Sequence, residues 1–191
     1  MNRKDFEIMA PVGSYESLYS AINAGADAIY FGVEGLNMRS RSSVNFTLDD
    51  LHEISRICDE HGVKSYLTVN TIIYDEDMEK CRAIIDAVSR SGISAIIASD
   101  MAAILYARSR GVEVHISTQQ SVSNTATLRF FAQYADVVVL ARELNLDQVA
   151  AIHRAIVEED IRGPRGELVR IEMFCHGALC MAVSGKCYLS L

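Results

Sequence analysis

Three of the chain's five cysteines lie within the stretch EMFCHGALCMAVSGKCYLSL, residues 172–191. A thiolate acts as a nucleophile when a histidine lies beside it, and it can also bind a metal ion. Cys175 and His176 are adjacent, but neighbours on a strand point to opposite faces, so these two side chains cannot form a catalytic pair. A pair would require Cys180 or Cys187 to fold back over His176.

The same cysteines could instead bind a metal. Cys180 and Cys187 are seven residues apart in a glycine-containing segment. Two thiolates cannot complete a tetrahedral zinc site or a four-cysteine iron–sulfur cluster, so further ligands would have to come from elsewhere. The spacing alone leaves a metal site and free thiols equally open. Cys175 is best interpreted as a small buried apolar residue.

The composition indicates one ordinary domain. The chain has 191 residues, half of them hydrophobic, and a formal charge of −7, which argues against a dedicated binder of the phosphate backbone. No apolar run is long enough for a signal peptide or a membrane helix. With an odd number of cysteines, these features predict a cytoplasmic protein with free thiols and no membrane contact.

The elements that must position these residues follow an alternating pattern. Short β-branched runs alternate with amphipathic helical patterns, which predicts βαβ units and a parallel sheet. The predicted strands are residues 7–11, 28–33, 64–71, 95–99, 113–118, 136–141 and 169–177. They recur about every 27 residues, near the ~30 residues per unit of a (β/α)₈ barrel.

The fold prediction is therefore an α/β, TIM-barrel-like parallel barrel that is incomplete at about seven βα units. No G-x-G-x-x-G follows the first strand, so a dinucleotide-binding sheet is disfavoured. Residues 1–191 are expected to form a single domain that is truncated inside its C-terminal motif. A missing eighth unit would leave strand one or strand seven unpaired, which predicts self-association through a sheet edge.

Alternation along the seventh strand separates its side chains into two sets. The apolar set, expected against the helices, is Val169, Ile171, Met173 and Cys175. The other set, expected on the inner face of the barrel, is Arg170, Glu172, Phe174 and His176. The same alternation places Tyr66, Thr68, Asn70, His115, Ser117 and Gln119 on the inner face.

Barrel active sites lie at the carboxyl ends of the strands, so the polar residues there are the candidate site. The candidate catalytic residues are Glu172, His176, Arg142 and Glu143. The candidate substrate-binding residues are Tyr30, Arg39, Arg41, Asn70 and Gln119. The alternative is that these polar side chains only cap helices and tie loops together.

The final stretch matches the signature E-x-F-x-x-G-(S/A)-(L/I/V/M)-C-x4-G-x-C-x-(L/I/V/M)-S at ten defined positions. These are Glu172, Phe174, Gly177, Ala178, Leu179, Cys180, Gly185, Cys187, Leu189 and Ser190. This is the signature of peptidase family U32, the collagenase-like proteins, so the chain resembles that family. Upstream, APVGSYESLYSAINAGADAIYFG, NMRSRSSVNF and VVLARELNLDQV also resemble it. The resemblance is closest to the branch that hydroxylates the wobble uridine of tRNA.

This resemblance implies an iron–sulfur-dependent enzyme that hydroxylates RNA, with tRNA as substrate and prephenate as a further requirement. It implies a 4Fe–4S cluster with Cys180 and Cys187 as two of its four ligands and the others beyond Leu191. Residues 1–191 alone are expected to retain no cluster. One alternative is a U32-type collagenase-like peptidase with Cys180 or Cys187 as nucleophile and His176 or Glu172 as base. Another is a non-catalytic partner in RNA maturation.

Overall fold

Seven parallel strands form one sheet. The computed structural model describes residues 2–33, 36, 46–177 and 182–183. The strands are β1 (Met9–Pro11), β2 (Ala28–Phe31), β3 (Lys64–Val69), β4 (Ala95–Ala98), β5 (Glu113–Ile116), β6 (Val137–Val139) and β7 (Arg170–Glu172). Each strand pairs in parallel with its neighbour in sequence, giving the order β1 to β7. The sheet is a half-barrel with helices between its strands, so the predicted incomplete TIM-barrel-like fold is confirmed.

Helices connect the strands. The α-helices in the described residues are α1 (Tyr15–Asn23), α2 (Leu51–Glu60), α3 (Met78–Ser91), α4 (Met101–Ser109), α5 (Thr125–Ala132) and α6 (Leu146–Glu158). Short 3-10 helices occupy Arg3–Asp5, Leu48–Asp50, Asp75–Asp77 and Thr118–Gln120. Ser14 caps α1, because its Oγ accepts a hydrogen bond of 3.3 Å from the backbone N–H of Ser17.

The two faces of the sheet pack differently. The face towards the helices contributes to a large apolar core in which residues such as Leu67 and Ile96 meet helix residues such as Ile85. The opposite, inner face carries a smaller cluster, made of Ala28, Tyr66, Ala95 and Ile97 with Met9 and Tyr30 packed against it. Polar side chains on the inner face are therefore separated from the main core by the sheet itself.

Strand β7 is shorter than predicted. Its pairing with β6 ends at Glu172, which lies opposite Val139. Up to that point the predicted alternation holds, since Val169 is buried and Ile171 packs against the core. Beyond it, Cys175 is exposed, so the prediction that it lies buried against the helices is wrong. Without a partner strand, nothing fixes the alternation of side chains beyond Glu172.

Three further features bear on function. Cys58 and Cys81 are buried free thiols. Within the described sheet, β1 and β7 each pair with a single strand. A search of the described residues finds no helix that is both long enough and apolar enough to span a membrane.

Candidate functional site

The inner face carries a buried histidine with a carboxylate on either side. His115 lies on β5, and its side chain is 2% exposed. Its Nε2 is 3.5 Å from Oε1 of Glu113 on the same strand, and its Nδ1 is 3.7 Å from Oε2 of Glu172 on β7. Both separations exceed ordinary hydrogen-bond lengths, and neither ring nitrogen has a hydrogen-bond partner among the described residues.

This surrounding favours the charged form of the imidazole. Burial opposes protonation of His115, but the two carboxylates outweigh it, so the pKa of His115 is raised above its usual value. The ring also contacts Tyr66 on β3, with centroids 4.5 Å apart. Burial, together with a hydrogen bond to Glu7, raises the pKa of the Tyr66 phenol, so that phenol is neutral at physiological pH.

Two arginines hold Glu113 in place. Nη2 of Arg170, the first residue of β7, donates to Oε1 of Glu113 at 2.6 Å, and Arg165 from the preceding loop donates to the other oxygen. Burial alone would raise the pKa of Glu113. His115, Arg165 and Arg170 outweigh that effect and lower the pKa to about 2. Glu113 is therefore ionised at neutral pH.

A second ion pair lies beside this cluster. The hydroxyl of Tyr66 donates to Oε1 of Glu7 at 2.6 Å, and Nζ of Lys64 donates to Oε2 of the same carboxylate at 2.6 Å. Tyr66 thus joins Glu7, just before β1, to the histidine on β5. The inner-face cluster, as we call Glu7, Lys64, Tyr66, Glu113, His115, Arg165, Arg170 and Glu172, connects four parts of the half-barrel.

At the carboxyl ends of β6 and β7 an arginine stacks on an aromatic ring. The backbone N–H of Leu140 donates to the carbonyl of Glu172 at 2.9 Å, which brings these two chain segments side by side. Two residues further along each segment are Arg142 and Phe174. The guanidinium carbon of Arg142 lies 4.1 Å from the centroid of the Phe174 ring, and both side chains are exposed. We call this pair the Arg–Phe stack.

The other predicted site residues occupy varied environments. Asn70 is half-buried after β3, and its carbonyl accepts a hydrogen bond of 3.1 Å from Ser99 Oγ. Gln119 is buried in a 3-10 helix, where its Oε1 accepts from Ser117 Oγ. Tyr30 is half-buried on β2, whereas Glu143 and His176 are exposed. Arg39, Arg41, Cys180 and Cys187 lie outside the described residues.

Among the predicted catalytic residues, the structure brings Glu172 to the inner-face cluster and Arg142 to the Arg–Phe stack. The list of candidate site residues did not include Glu113, Arg165 or Arg170. A signal was available for two of them, because alternation places Glu113 on the same face as His115 along β5 and Arg170 on the same face as Glu172 along β7. Arg165 joins only through the folding of the loop that precedes β7.

The arrangement favours proton and charge chemistry over nucleophilic attack. A buried imidazole between two carboxylates can hold a proton close to Glu172, whose side chain is 22% exposed. Neither ring nitrogen of His115 has a serine or cysteine partner in the described part of the chain. Cys58 and Cys81 are buried, and burial raises the pKa of each thiol to about 11, so neither is an activated nucleophile.

The fold and this cluster define an α/β half-barrel with a polar inner face. In TIM-barrel enzymes the active site lies at the carboxyl ends of the strands, which is where the Arg–Phe stack is found here. Comparison with known proteins gives a more specific assignment. The family model described as peptidase family U32 matches residues 13–191, so the chain belongs to that family. The chain is also similar to a solved structure of a U32 peptidase, with a TM-score of 0.65 over 87% of this chain and 66% of that one. At 14% identity, this similarity supports the fold alone.

Curated relatives bear two kinds of name. A protein named collagenase from Porphyromonas gingivalis is 68% identical over the whole chain, which covers 46% of that protein. A protein named tRNA hydroxylation protein P1 from Bacillus subtilis is 34% identical over 187 residues, covering 96% of this chain and 42% of that protein. The chain therefore spans less than half the length of these relatives.

Proposed function

We propose that the intact protein is an RNA-hydroxylating enzyme of the U32 family, with tRNA as its substrate. The observation that carries the proposal is the Arg–Phe stack at the carboxyl ends of β6 and β7. Phe174 is 41% exposed, so part of its surface is available to a ligand. The similarity to a tRNA hydroxylation protein over 96% of the chain supports the same reading.

Single-stranded RNA is recognised largely by stacking its bases on aromatic side chains and on arginine guanidinium planes. The Arg–Phe stack offers both groups in one place, with a positive charge for a nearby phosphate. Because the chain carries a net charge of −7, such contacts must be local, and non-specific attraction cannot supply them. We therefore propose that a base of the RNA docks on this pair, with Glu172 close to the reacting nucleotide. An RNA substrate would require a cytoplasmic location.

We further propose that Cys180 and Cys187 supply two ligands of a 4Fe–4S cluster, whose chemistry would be the transfer of electrons. Both lie outside the described residues, and the described ones contain no group of three or more histidine, cysteine or carboxylate side chains able to hold a metal. Iron quantification of the full-length protein and of its Cys180→Ser variant tests the proposal, since the variant should lose iron.

Prephenate and self-association belong to the same proposal. Prephenate carries two carboxylates, and a guanidinium such as that of Arg142 is a suitable partner for one of them. Adding prephenate to the hydroxylation assay tests whether it is required.

Self-association is proposed through β1 or β7, which each pair with one strand in the described sheet. Light scattering of the full-length protein measures its mass in solution.

A second candidate function is a collagenase-like peptidase, which is favoured by the 68% identity to a relative named collagenase. Two of the three described thiols, Cys58 and Cys81, give it no support because they are buried and protonated. The peptidase would depend on Cys180 or Cys187, with His176 or Glu172 as base.

A third candidate is a non-catalytic partner in RNA maturation, which would bind RNA through the Arg–Phe stack.

The test is mass spectrometry of tRNA nucleosides from a deletion strain that expresses the full-length protein or its variants. The wild type should restore a uridine derivative that is one oxygen heavier. Phe174→Ala should reduce this product, because a lost base–aromatic contact costs about 1–3 kcal/mol of binding, or roughly 5- to 150-fold. Phe130→Ala is the matched control, since Phe130 is 50% exposed but lies on α5.

Two outcomes would count against the proposal. If the wild type restores no hydroxylated nucleoside while the purified protein cleaves casein or collagen, the peptidase is the better assignment. If the nucleoside is restored equally by wild type and by Phe174→Ala, the Arg–Phe stack is not the RNA contact. A non-catalytic partner would bind tRNA but leave its nucleosides unchanged in a purified reaction.

A further inference from the structure

His115 has an environment that is unusual for a buried side chain. Polar groups removed from water are normally hydrogen-bonded, and leaving one unpartnered is costly. The side chain of His115 is 2% exposed, yet neither ring nitrogen makes a hydrogen bond within the described structure. Such an arrangement persists where another role maintains it.

The two carboxylates beside His115 are not equivalent. Glu113 is fixed by Arg165 and Arg170 and lies at the start of β5. Glu172 lies at the carboxyl end of β7 and is partly exposed. Among the described residues, His115 is the one basic side chain within ion-pair distance of Glu172. A row of alternating charges thus runs from the two arginines through Glu113 and His115 to Glu172.

We propose that His115 is a positioning residue that lies between Glu113 and Glu172 and fixes the position of the Glu172 carboxylate at the mouth of the half-barrel. This inference rests on the proposed function, which places Glu172 near the reacting nucleotide. The anchored Glu113 holds the imidazolium from one side. The positive charge on the other ring nitrogen then restricts where the Glu172 carboxylate can lie.

The groups around His115 favour the protonated form of its imidazole. Tyr66 contributes a neutral ring from β3, and its hydroxyl is occupied by Glu7. The residues paired with His115 in the sheet are Ile97 on β4 and Val137 on β6, which carry no charge. Within residues 2–33, 46–177 and the other described positions, the charged groups facing His115 are therefore the two carboxylates, with Arg165 and Arg170 behind Glu113. Of these, the carboxylates favour the proton on the imidazole.

The direct test is nitrogen-15 NMR of the full-length protein with labelled histidine, because ring nitrogen shifts distinguish an imidazolium from either neutral tautomer. The His115 signal is assigned with a His115→Gln variant and, independently, by its proton contacts with the Tyr66 ring, whose centroid lies 4.5 Å away. In the wild type His115 should remain doubly protonated at pH 7, above the usual histidine value of about 6.5. In Glu172→Gln its titration should shift to lower pH. A neutral His115 at pH 7, or no shift in Glu172→Gln, would overturn the proposal.

A kinetic test separates positioning from a purely structural role. His115→Gln should lower kcat for tRNA hydroxylation about 100-fold, as expected when a reacting group is misplaced, and leave KM for tRNA nearly unchanged. His153→Gln, a substitution of an exposed side chain on α6, should have the same kcat and KM as the wild type. If His115→Gln lowered kcat/KM by raising KM for tRNA while kcat stayed the same, the proposal would be contradicted. If His115→Gln fails to fold, the NMR titration of Glu172→Gln decides. If the wild type hydroxylates no RNA, the proposed function fails, while the NMR result still reports on the charge state.

Discussion

Replacing Glu113 by glutamine tests how much the inner-face cluster contributes to stability. The substitution keeps the shape of the side chain and removes its charge. Folding lowers the pKa of Glu113 from its usual 4.5 to about 2, and this difference corresponds to about 3 kcal/mol at neutral pH. Arg165 and Arg170 are about half exposed, so water screens part of the attraction. We therefore expect Glu113→Gln to lower the free energy of unfolding by about 2 kcal/mol at pH 7.

The stability difference between wild type and Glu113→Gln should depend on pH in a definite direction. A carboxyl group whose pKa is lowered by folding stabilises the protein above its usual pKa, and this contribution is lost as the pH falls towards the folded value. The difference between wild type and Glu113→Gln should therefore be full at pH 7, decline below pH 4.5 and nearly vanish at about pH 2. Urea denaturation followed by circular dichroism measures it at each pH.

Glu53→Gln is the matched control for this experiment. Glu53 also contacts an arginine, Arg56, but both side chains are about half exposed on α2. Its replacement should leave the urea midpoint unchanged. Equal stability of Glu113→Gln and wild type at pH 7 would refute the reasoning, as would a difference that persists unchanged at low pH.

Two further predictions concern the helices and the thiols. Gly92→Ala should destabilise the protein by about 1–3 kcal/mol, because Gly92 has φ +85° and an added Cβ would lie 2.6 Å from Ser55 Oγ. Gly25→Ala, at φ +84° with nothing within 4 Å, should cost less in the same thermal unfolding measurement. In peptide mapping after brief iodoacetamide treatment, exposed Cys175 should be alkylated while Cys58, with its pKa raised to about 11, should react only on unfolding.

The sequence predicts the sheet well because the chain repeats one local unit. All seven strands appear in the predicted order, and alternation correctly places Tyr66 and His115 on the inner face. These assignments depend on residues well inside paired strands, where a period of two is imposed by the backbone. The beginnings of the helices are similarly local, as the cap at Ser14 illustrates.

The end of β7 could not be predicted in the same way. The apolar run after Glu172 gives no sign that the strand ends there, but the strand stops where β6 no longer pairs with it. Strand length is thus set by the partner, and the error for Cys175 follows from that. The environment of Glu113 is also non-local, because Arg165 reaches it from a loop 52 residues away. A single sequence does not state which loop returns to which strand.

The consecutive strand order has a consequence for the way the protein is made. A sheet whose strands join their sequence neighbours can grow unit by unit as the chain leaves the ribosome, from the N-terminus onward. The inner-face cluster cannot form in that manner, since Glu113 and Arg170 are 57 residues apart. Until Arg165 and Arg170 have emerged, Glu113 and His115 lie in a sheet that already has its strands and helices but lacks the two arginines that bind Glu113. A nascent chain halted before residue 165 would therefore have most of its strands and helices and the local Glu113–His115 pair, without the arginines that anchor Glu113 or the Glu172 carboxylate beside His115.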